Sequence, residues 1–287
     1  MKIIFYVLSI LPIKLTFSLL DIFFKFLPLR FLKIFSPFNV TRKNLSIACE
    51  NITPLEIDLL AKESYKETIK SFYETLYTWS RPSKKIILNV KKINNRFLFH
   101  SSDHENGLII FAPHNRSIDF MLRWISTQRP HTSLYKKIKF EPINKFVKKF
   151  REEENCKMVE TGIGGVKSIL NALEKNQMTC MASDQVPADG LGTYSKFFGH
   201  ECYSFALAPK LARKTKKEIL LTYLSYKRDI GHIINFKRPS VEIYEKNGVD
   251  VMNKEMEDEI RKSPSEYSWE YKKFRKLSGD IRDIYKN

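Results

Sequence analysis

Leu108-Ile109-Ile110-Phe111-Ala112-Pro113-His114-Asn115-Arg116-Ser117-Ile118-Asp119-Phe120 is the stretch on which the reading of this chain turns. An apolar run of strand length ends at a proline, delivers a histidine, and presents an aspartate five positions later. A neutral imidazole takes a proton from an attacking hydroxyl, and a carboxylate on its other ring nitrogen fixes the tautomer and stabilises the imidazolium. Five residues would hold the two side chains well apart around a regular helix. His114 is therefore placed in a strand-to-helix turn, with Asp119 in the first helical turn, where the chain can fold the carboxylate back. A solvated loop histidine followed by an ordinary first-turn acid reads equally from these letters, and the spacing alone favours that plainer version.

Working outward, short apolar runs at 86–90, 108–112, 157–160, 178–183, 218–226 and 231–236 read as strands, and 164–175 and 204–214 carry helical periodicity between them. Leu55, Leu59, Leu60, Ile69, Phe72, Tyr73 and Leu76 recur at helical spacing from residue 53 to residue 79, after a Thr53-Pro54-x-Glu56 start typical of a capped helix. Strands alternating with helices specify an α/β fold with a mostly parallel central sheet flanked by helices, so a ligand site is expected at the carboxyl ends of the strands. His114 and Asp184 both fall at such ends. Asp184 and Gln185 should face the cleft of His114, there to position an acceptor or brace the site; a plain turn before Pro187 fits the same letters.

The 287 residues suffice for one large domain with its own core, and nothing in them is disordered, collagenous or repetitive in bias. A formal net charge of +17 predicts attraction to something acidic: nucleic acid, anionic headgroups, a phosphorylated substrate or an acidic carrier protein. Cys49, Cys156, Cys180 and Cys202 are widely spaced with no CxxC pair, which argues against a disulfide framework and a thiolate zinc site. His100 and His104, four apart and close to Asp103 and Glu105, raise zinc as a possibility, but 103–107 reads as a polar surface turn. No metal and no cofactor are expected.

Residues 1–38 are dominated by Ile, Leu and Phe but interrupted by Lys14, Asp21, Lys25, Arg30 and Lys33 and broken at Pro12 and Pro28. The best span, 3–24, holds Lys14 and Asp21 inside it, an expensive placement at a bilayer centre. The segment is expected to be a membrane-anchoring helical element, either a tilted span or an interfacial segment with Phe and Leu among acyl chains and Lys and Arg at headgroups. A buried helix of a soluble protein is the third option. Residues 39–287 then form the catalytic domain.

In order, the apolar start, Thr41-Arg42-Lys43-Asn44-Leu45-Ser46, the Glu74 helix, the His114-to-Asp119 motif, the basic stretch ending at Arg151, the glycine-led helix near Gly162, Ser183-Asp184-Gln185-Val186-Pro187, Lys196-Phe197-Phe198-Gly199 and Pro264-Ser265-Glu266-Tyr267-Ser268-Trp269 span nearly the whole chain. This set resembles the late acyltransferases of lipid A biosynthesis, the lauroyl and myristoyl transferases of the wider lysophospholipid-acyltransferase-like group. One departure is Asp119, where many members carry glutamate, often after Gly-Asn-Trp; aspartate does occur at that position in the related phospholipid enzymes, which keeps a lysophospholipid or other lipid open as acceptor.

The resemblance implies a membrane enzyme at the cytoplasmic face of the inner membrane. It passes a fatty acyl chain from an acyl carrier protein thioester directly to a hydroxyl of a lipid A precursor, without a covalent acyl-enzyme. No GxSxG elbow contradicts direct transfer. His114 is then the general base and Asp119 its orienting acid. Arg116 and Arg151 are candidates for binding phosphate or an oxyanion, with Asp184 and Gln185 as further substrate-binding candidates. Gly162, Gly164 and Gly165 at a helix start, and Phe197-Phe198-Gly199, carry weaker signals that packing explains equally well. A non-enzymatic basic protein binding membrane or nucleic acid is the alternative of a different class, but the lysines are dispersed and no nucleic-acid module accompanies them, so nucleic acid is not expected as a partner.

Overall fold

Every residue of β2 (Leu108–Ala112) is buried, as a strand covered on both faces must be. In the computed structural model, which describes residues 1–101, 106–279 and 283–285, β2 lies at the middle of a seven-stranded sheet. Its companions are β1 (Val90–Asn94), β3 (His131–Tyr135), β4 (Cys156–Glu160), β5 (Met178–Ala182), β8 (Glu218–Lys227) and β9 (Gly231–Lys237), in the order β1-β9-β8-β2-β5-β3-β4. Only the β8–β9 hairpin is antiparallel. The mostly parallel α/β sheet flanked by helices matches the expectation from sequence. A separate antiparallel hairpin, β6 (Gly192–Phe197) with β7 (His200–Phe205), lies outside that sheet.

The two-residue period of a strand divides the core. Ile109, Phe111, Met181, Ile219 and Leu221 point into one layer, with α10 (Ile163–Glu174), α11 (Leu207–Thr215) and α12 (Gly248–Lys262) supplying Ile169, Leu211 and Met252. Leu108, Ile110, Ala112, Met178, Cys180 and Leu220 point into the other, against Phe120, Trp124 and Ile125 of α8 (Ile118–Gln128), Ile86 of α6 (Ser83–Asn89) and Phe99 of α7 (Arg96–Ser101). α9 (Glu141–Arg151) connects β3 to β4.

The long helix is α5 (Pro54–Ser80), opened by a complete capping box between Thr53 and Glu56, as the sequence foretold. Four amino-terminal helices, α1 (Lys2–Leu8), α2 (Ile13–Phe26), α3 (Leu29–Leu32) and α4 (Ser36–Ala48), precede it, burying Phe17, Phe24, Leu32 and Phe38. No single helix among the described residues is long and apolar enough to cross a membrane; α1 and α2 reach that composition only as a pair, bent by 55°.

Local assignments differ at four places. The run expected as a strand at 86–90 is helix α6 with β1 after it, because Pro82 starts a helix there and only Ile86 of that run is fully buried. β3 and the β6–β7 hairpin were not anticipated: His131-Thr132-Ser133 and Tyr194-Ser195-Lys196 have no apolar signature. The helix expected at 204–214 begins at Leu207, since Ser204 and Phe205 finish β7. His104, Asp103 and Glu105 lie outside the described residues; among those described, no cluster of side chains is arranged to hold a metal ion.

Candidate active site

β2 and β5 run parallel with Ala112 opposite Ala182, and two residues beyond each stand His114 and Asp184. Strand register thus sets the two side chains together at the carboxyl edge of the sheet. Asp184 Oδ1 lies 2.6 Å from His114 Nδ1, and its Oδ2 accepts the His114 backbone N–H at 2.9 Å. A carboxylate at Nδ1 keeps the proton there and leaves Nε2 with its lone pair outward, the tautomer of a general base. The Gln185 side-chain amide stands 3.3 Å from Nε2.

Asp184 is 2 % exposed, whereas the His114 side chain keeps 27 % of its surface open, so the acid is sealed and the base can be reached. Burial opposes protonation of His114, but the charge and hydrogen bond of Asp184 outweigh it and raise the imidazole above its ordinary value. Burial likewise works against the Asp184 carboxylate, and the pairing with His114, helped by the charge of Lys273, holds it below the usual range.

The turn carrying His114 is clamped. Arg116 adopts φ 57°, and its N–H donates to the Glu266 carbonyl at 3.0 Å; the Ser268 N–H donates to the His114 carbonyl at 3.0 Å. The Arg116 guanidinium, only 1 % exposed, donates to Glu74 (2.6 and 2.9 Å), Glu67 (2.8 Å) and Glu266 (2.9 Å), and Glu74 also meets His232 Nε2 at 2.9 Å. Burial disfavours the Glu74 carboxylate, but Arg116 and His232 bring it down to about 2. Arg116, expected among the substrate-binding groups, is thus an internal anchor of the turn that carries His114, because three carboxylates consume its donors away from solvent.

Asp119 was expected to orient His114, and its carboxylate goes elsewhere. It lies in the first turn of α8 and receives both Nε (2.6 Å) and Nη2 (3.0 Å) of Arg151. The carboxylate that meets the His114 ring is that of Asp184, which follows the adjacent strand β5. Arg151 ends α9 and lines the same cavity as His114 and Gln185. Lys145 and Lys149, earlier on α9, are exposed.

That cavity, of about 420 Å³, extends from His114 along the sheet face over Ile110 and Cys180 to Met121, Ile125 and Met158. Its apolar wall is the even-numbered face of β2 and β5 continued from His114. Lys136, Arg151 and Arg275 add positive charge to the lining. Burial pushes the Cys180 thiol far up and takes Cys156 to about 12, so neither thiol is a thiolate nucleophile near neutrality.

Other candidates have packing roles. A Cβ on Gly165 would stand 2.1 Å from the Glu160 carbonyl oxygen, which explains that glycine by close approach of backbone. Phe197 and Phe198 are core residues, Phe197 tilted against Phe274 and Phe198 edge-on to Trp269, and not part of the cavity wall. Sequence reasoning gave no role to Tyr267, whose hydroxyl is raised well above its ordinary value by burial and by the adjoining Asp184, or to Lys273, 1 % exposed, whose Nζ has no hydrogen-bond partner among the described residues. The apolar and aromatic residues alternating around them from 267 to 274 were the available signal that this segment enters the core.

The sequence model of the bacterial lipid A biosynthesis acyltransferases matches residues 2–276. Among curated proteins, the chain is similar to the lipid A biosynthesis palmitoleoyltransferase of Escherichia coli K12, 22% identical over 243 residues that cover 83% of this chain and 78% of that protein. The lipid A biosynthesis acyltransferase of Shigella flexneri matches at the same identity and the same coverage of both chains. With its match extending over nearly the whole sequence, this chain belongs to the bacterial lipid A biosynthesis acyltransferase family.

Proposed function

We propose that the protein transfers a fatty acyl chain from an acyl carrier protein thioester to a hydroxyl of a lipid A precursor at the cytoplasmic face of the inner membrane. The single observation that carries this reading is the His114 ring, braced by a sealed Asp184 and opening onto an apolar cavity. In this proposal the acyl chain lies along Ile110, Cys180, Ile125 and Met158, leaving its thioester at His114. His114 Nε2 takes the hydroxyl proton as the acceptor oxygen attacks the thioester carbonyl carbon. Arg151, fixed by Asp119, faces the oxyanion that forms. Collapse breaks the C–S bond, and the imidazolium returns its proton to the departing thiolate, so ester and free carrier thiol leave with no covalent enzyme intermediate.

The high pKa values of the buried cysteines support direct transfer. The net charge of +17 supports an acidic carrier and a phosphorylated glycolipid as the two substrates, through attraction to basic groups such as Lys136 and Arg275 in the cavity lining. The test is incubation of the full chain with defined acyl carrier protein thioesters and lipid A precursors or lysophospholipids, with products identified by mass spectrometry. An acylated glycolipid lost with His114→Ala supports the proposal; acylation of lysophospholipid alone replaces the acceptor, and no transfer from the carrier replaces the donor.

A further inference from the structure

Resting on the membrane location proposed above, we infer that α1, α2 and α3 form one in-plane docking face that enters a single anionic leaflet and does not cross the bilayer. Both longer helices are two-sided. α2 buries Ile13, Phe17 and Phe24 and exposes Leu15, Leu19, Ile22, Phe23 and Phe26, five positions at helical spacing on one side. α1 exposes Ile3, Ile4, Val7 and Leu8 while Ser9 faces inward, and Phe31, Ile34 and Phe35 continue the apolar surface past α3.

The inner sides are fastened to the catalytic body at the point where a span would need to straighten. The break between α1 and α2 leaves carbonyls that a bilayer cannot satisfy. Here Arg81 donates to the Ser9 carbonyl at 2.9 Å and the Tyr73 hydroxyl to the Leu11 carbonyl at 2.6 Å, both from the region of α5. Ser9 Oγ also meets Ser80 Oγ at 3.0 Å, and Phe5 packs on Trp79 and on Phe146 of α9. A spanning arrangement would strip these partners and would carry Asp21 away from Lys70 (2.6 Å) and Lys66 (3.2 Å). Length gives the same answer. Fourteen residues of α2 reach about 21 Å, short of the roughly 30 Å hydrocarbon core, and α1 is bent 55° from it.

Charge selects the occupant. Asp21 is the one acid among the first 49 residues and is turned inward, whereas Lys14, Lys25, Arg30 and Lys33 are exposed beside the apolar side chains. Such a face, greasy with a basic fringe, fits acyl chains below phosphate headgroups. It also places the leaflet one side chain from the catalytic turn, since Phe17, on the inner side of α2, lies against the Arg116 guanidinium at 5.3 Å.

The experiment uses the full chain with Cys49→Ser and a single added thiol, Lys2→Cys on α1 or Lys254→Cys on the exposed side of α12, in sealed inner-membrane vesicles that present the cytoplasmic face. A membrane-impermeant maleimide is expected to label both positions equally before detergent. Labelling of Lys2→Cys only after detergent would mean a crossing and overturn the inference. In a second arm, the Ile22→Glu/Phe23→Glu pair is expected to weaken partitioning to phosphatidylglycerol-containing vesicles about tenfold or more with transfer to soluble short-chain acceptors retained. Undiminished partitioning would overturn the docking face while leaving membrane location standing. A wild-type chain that does not sediment with vesicles at all would refute the membrane location itself.

Discussion

Replacing Asp184 with asparagine keeps the shape of the side chain and removes its charge. The carboxylate has two jobs, accepting the His114 backbone N–H at 2.9 Å through Oδ2 and holding the ring at Nδ1, 2.6 Å away, through Oδ1. An asparagine whose oxygen keeps the backbone bond turns its NH₂ toward Nδ1, which drives the ring proton to Nε2 and blocks the base. A charge-assisted bond of this kind contributes about 1.5–3 kcal/mol, and the unfavourable tautomer adds to it. Together they amount to roughly 3–5 kcal/mol at the transition state, a fall in kcat of about 10² to 10⁴. The same change removes the cause of the raised His114 pKa. The base must be neutral to act, so wild-type kcat/KM is expected to rise with pH through a value above the ordinary imidazole value of about 6.5, and in Asp184→Asn that limb moves to lower pH. The assay is acyl transfer across pH, with circular dichroism melts to confirm folding. Activity within about fivefold of wild type, with an unmoved limb, would refute the reasoning that Asp184 orients the base.

Arg151→Lys keeps the charge but loses the two-pronged grip on Asp119, and kcat is expected to fall about 10² to 10³ with the pH limb of His114 unchanged, measured in the same assay. Glu74 is fully buried and drops from 4.5 to about 2, so its contribution is present above the unfolded value and lost as pH falls toward 2; stability should decline by about 3 kcal/mol over that interval, and denaturant titrations of Glu74→Gln should show a flatter acid limb from a lower starting stability. Cys180→Leu adds bulk to the cavity wall beneath His114 and is expected to move the kcat/KM preference toward shorter acyl donors, read from a series of carrier thioesters. Raising ionic strength should increase the KM for the acyl carrier protein thioester; a salt-insensitive KM would separate donor binding from the net charge of +17.

The parts of this molecule written locally were legible in its sequence. The fully apolar β2 and the mostly apolar β5, the capping box at Thr53 and the alternation of strands with helices all act over a few residues, and they led to a parallel sheet with His114 and Asp184 at its carboxyl edge. What escaped the sequence depends on distant partners. The five-residue step from His114 to Asp119 drew attention to a pair that the fold separates, since Asp119 looks from α8 toward Arg151, 32 residues on. The true partner of His114 lies 70 residues away and is selected by strand register. Arg116 looked like a substrate contact because its three carboxylates, at positions 67, 74 and 266, meet only in the folded chain. Strand β3 stayed hidden because His131, Thr132 and Ser133 are buried polar residues, with His131 bonded to Ser126 and Ser133.

The most direct measurement is single-turnover transfer from a radiolabelled acyl carrier protein thioester to a purified lipid A precursor, comparing the wild-type chain with folded His114→Ala. The expected result is an acylated glycolipid formed by the wild type, a loss of about 10² to 10⁴ in rate with the variant, and no label retained on denatured protein at any time point. Label trapped covalently on the protein, or transfer by His114→Ala at the wild-type rate, would contradict a histidine base that passes the acyl group directly from thioester to hydroxyl.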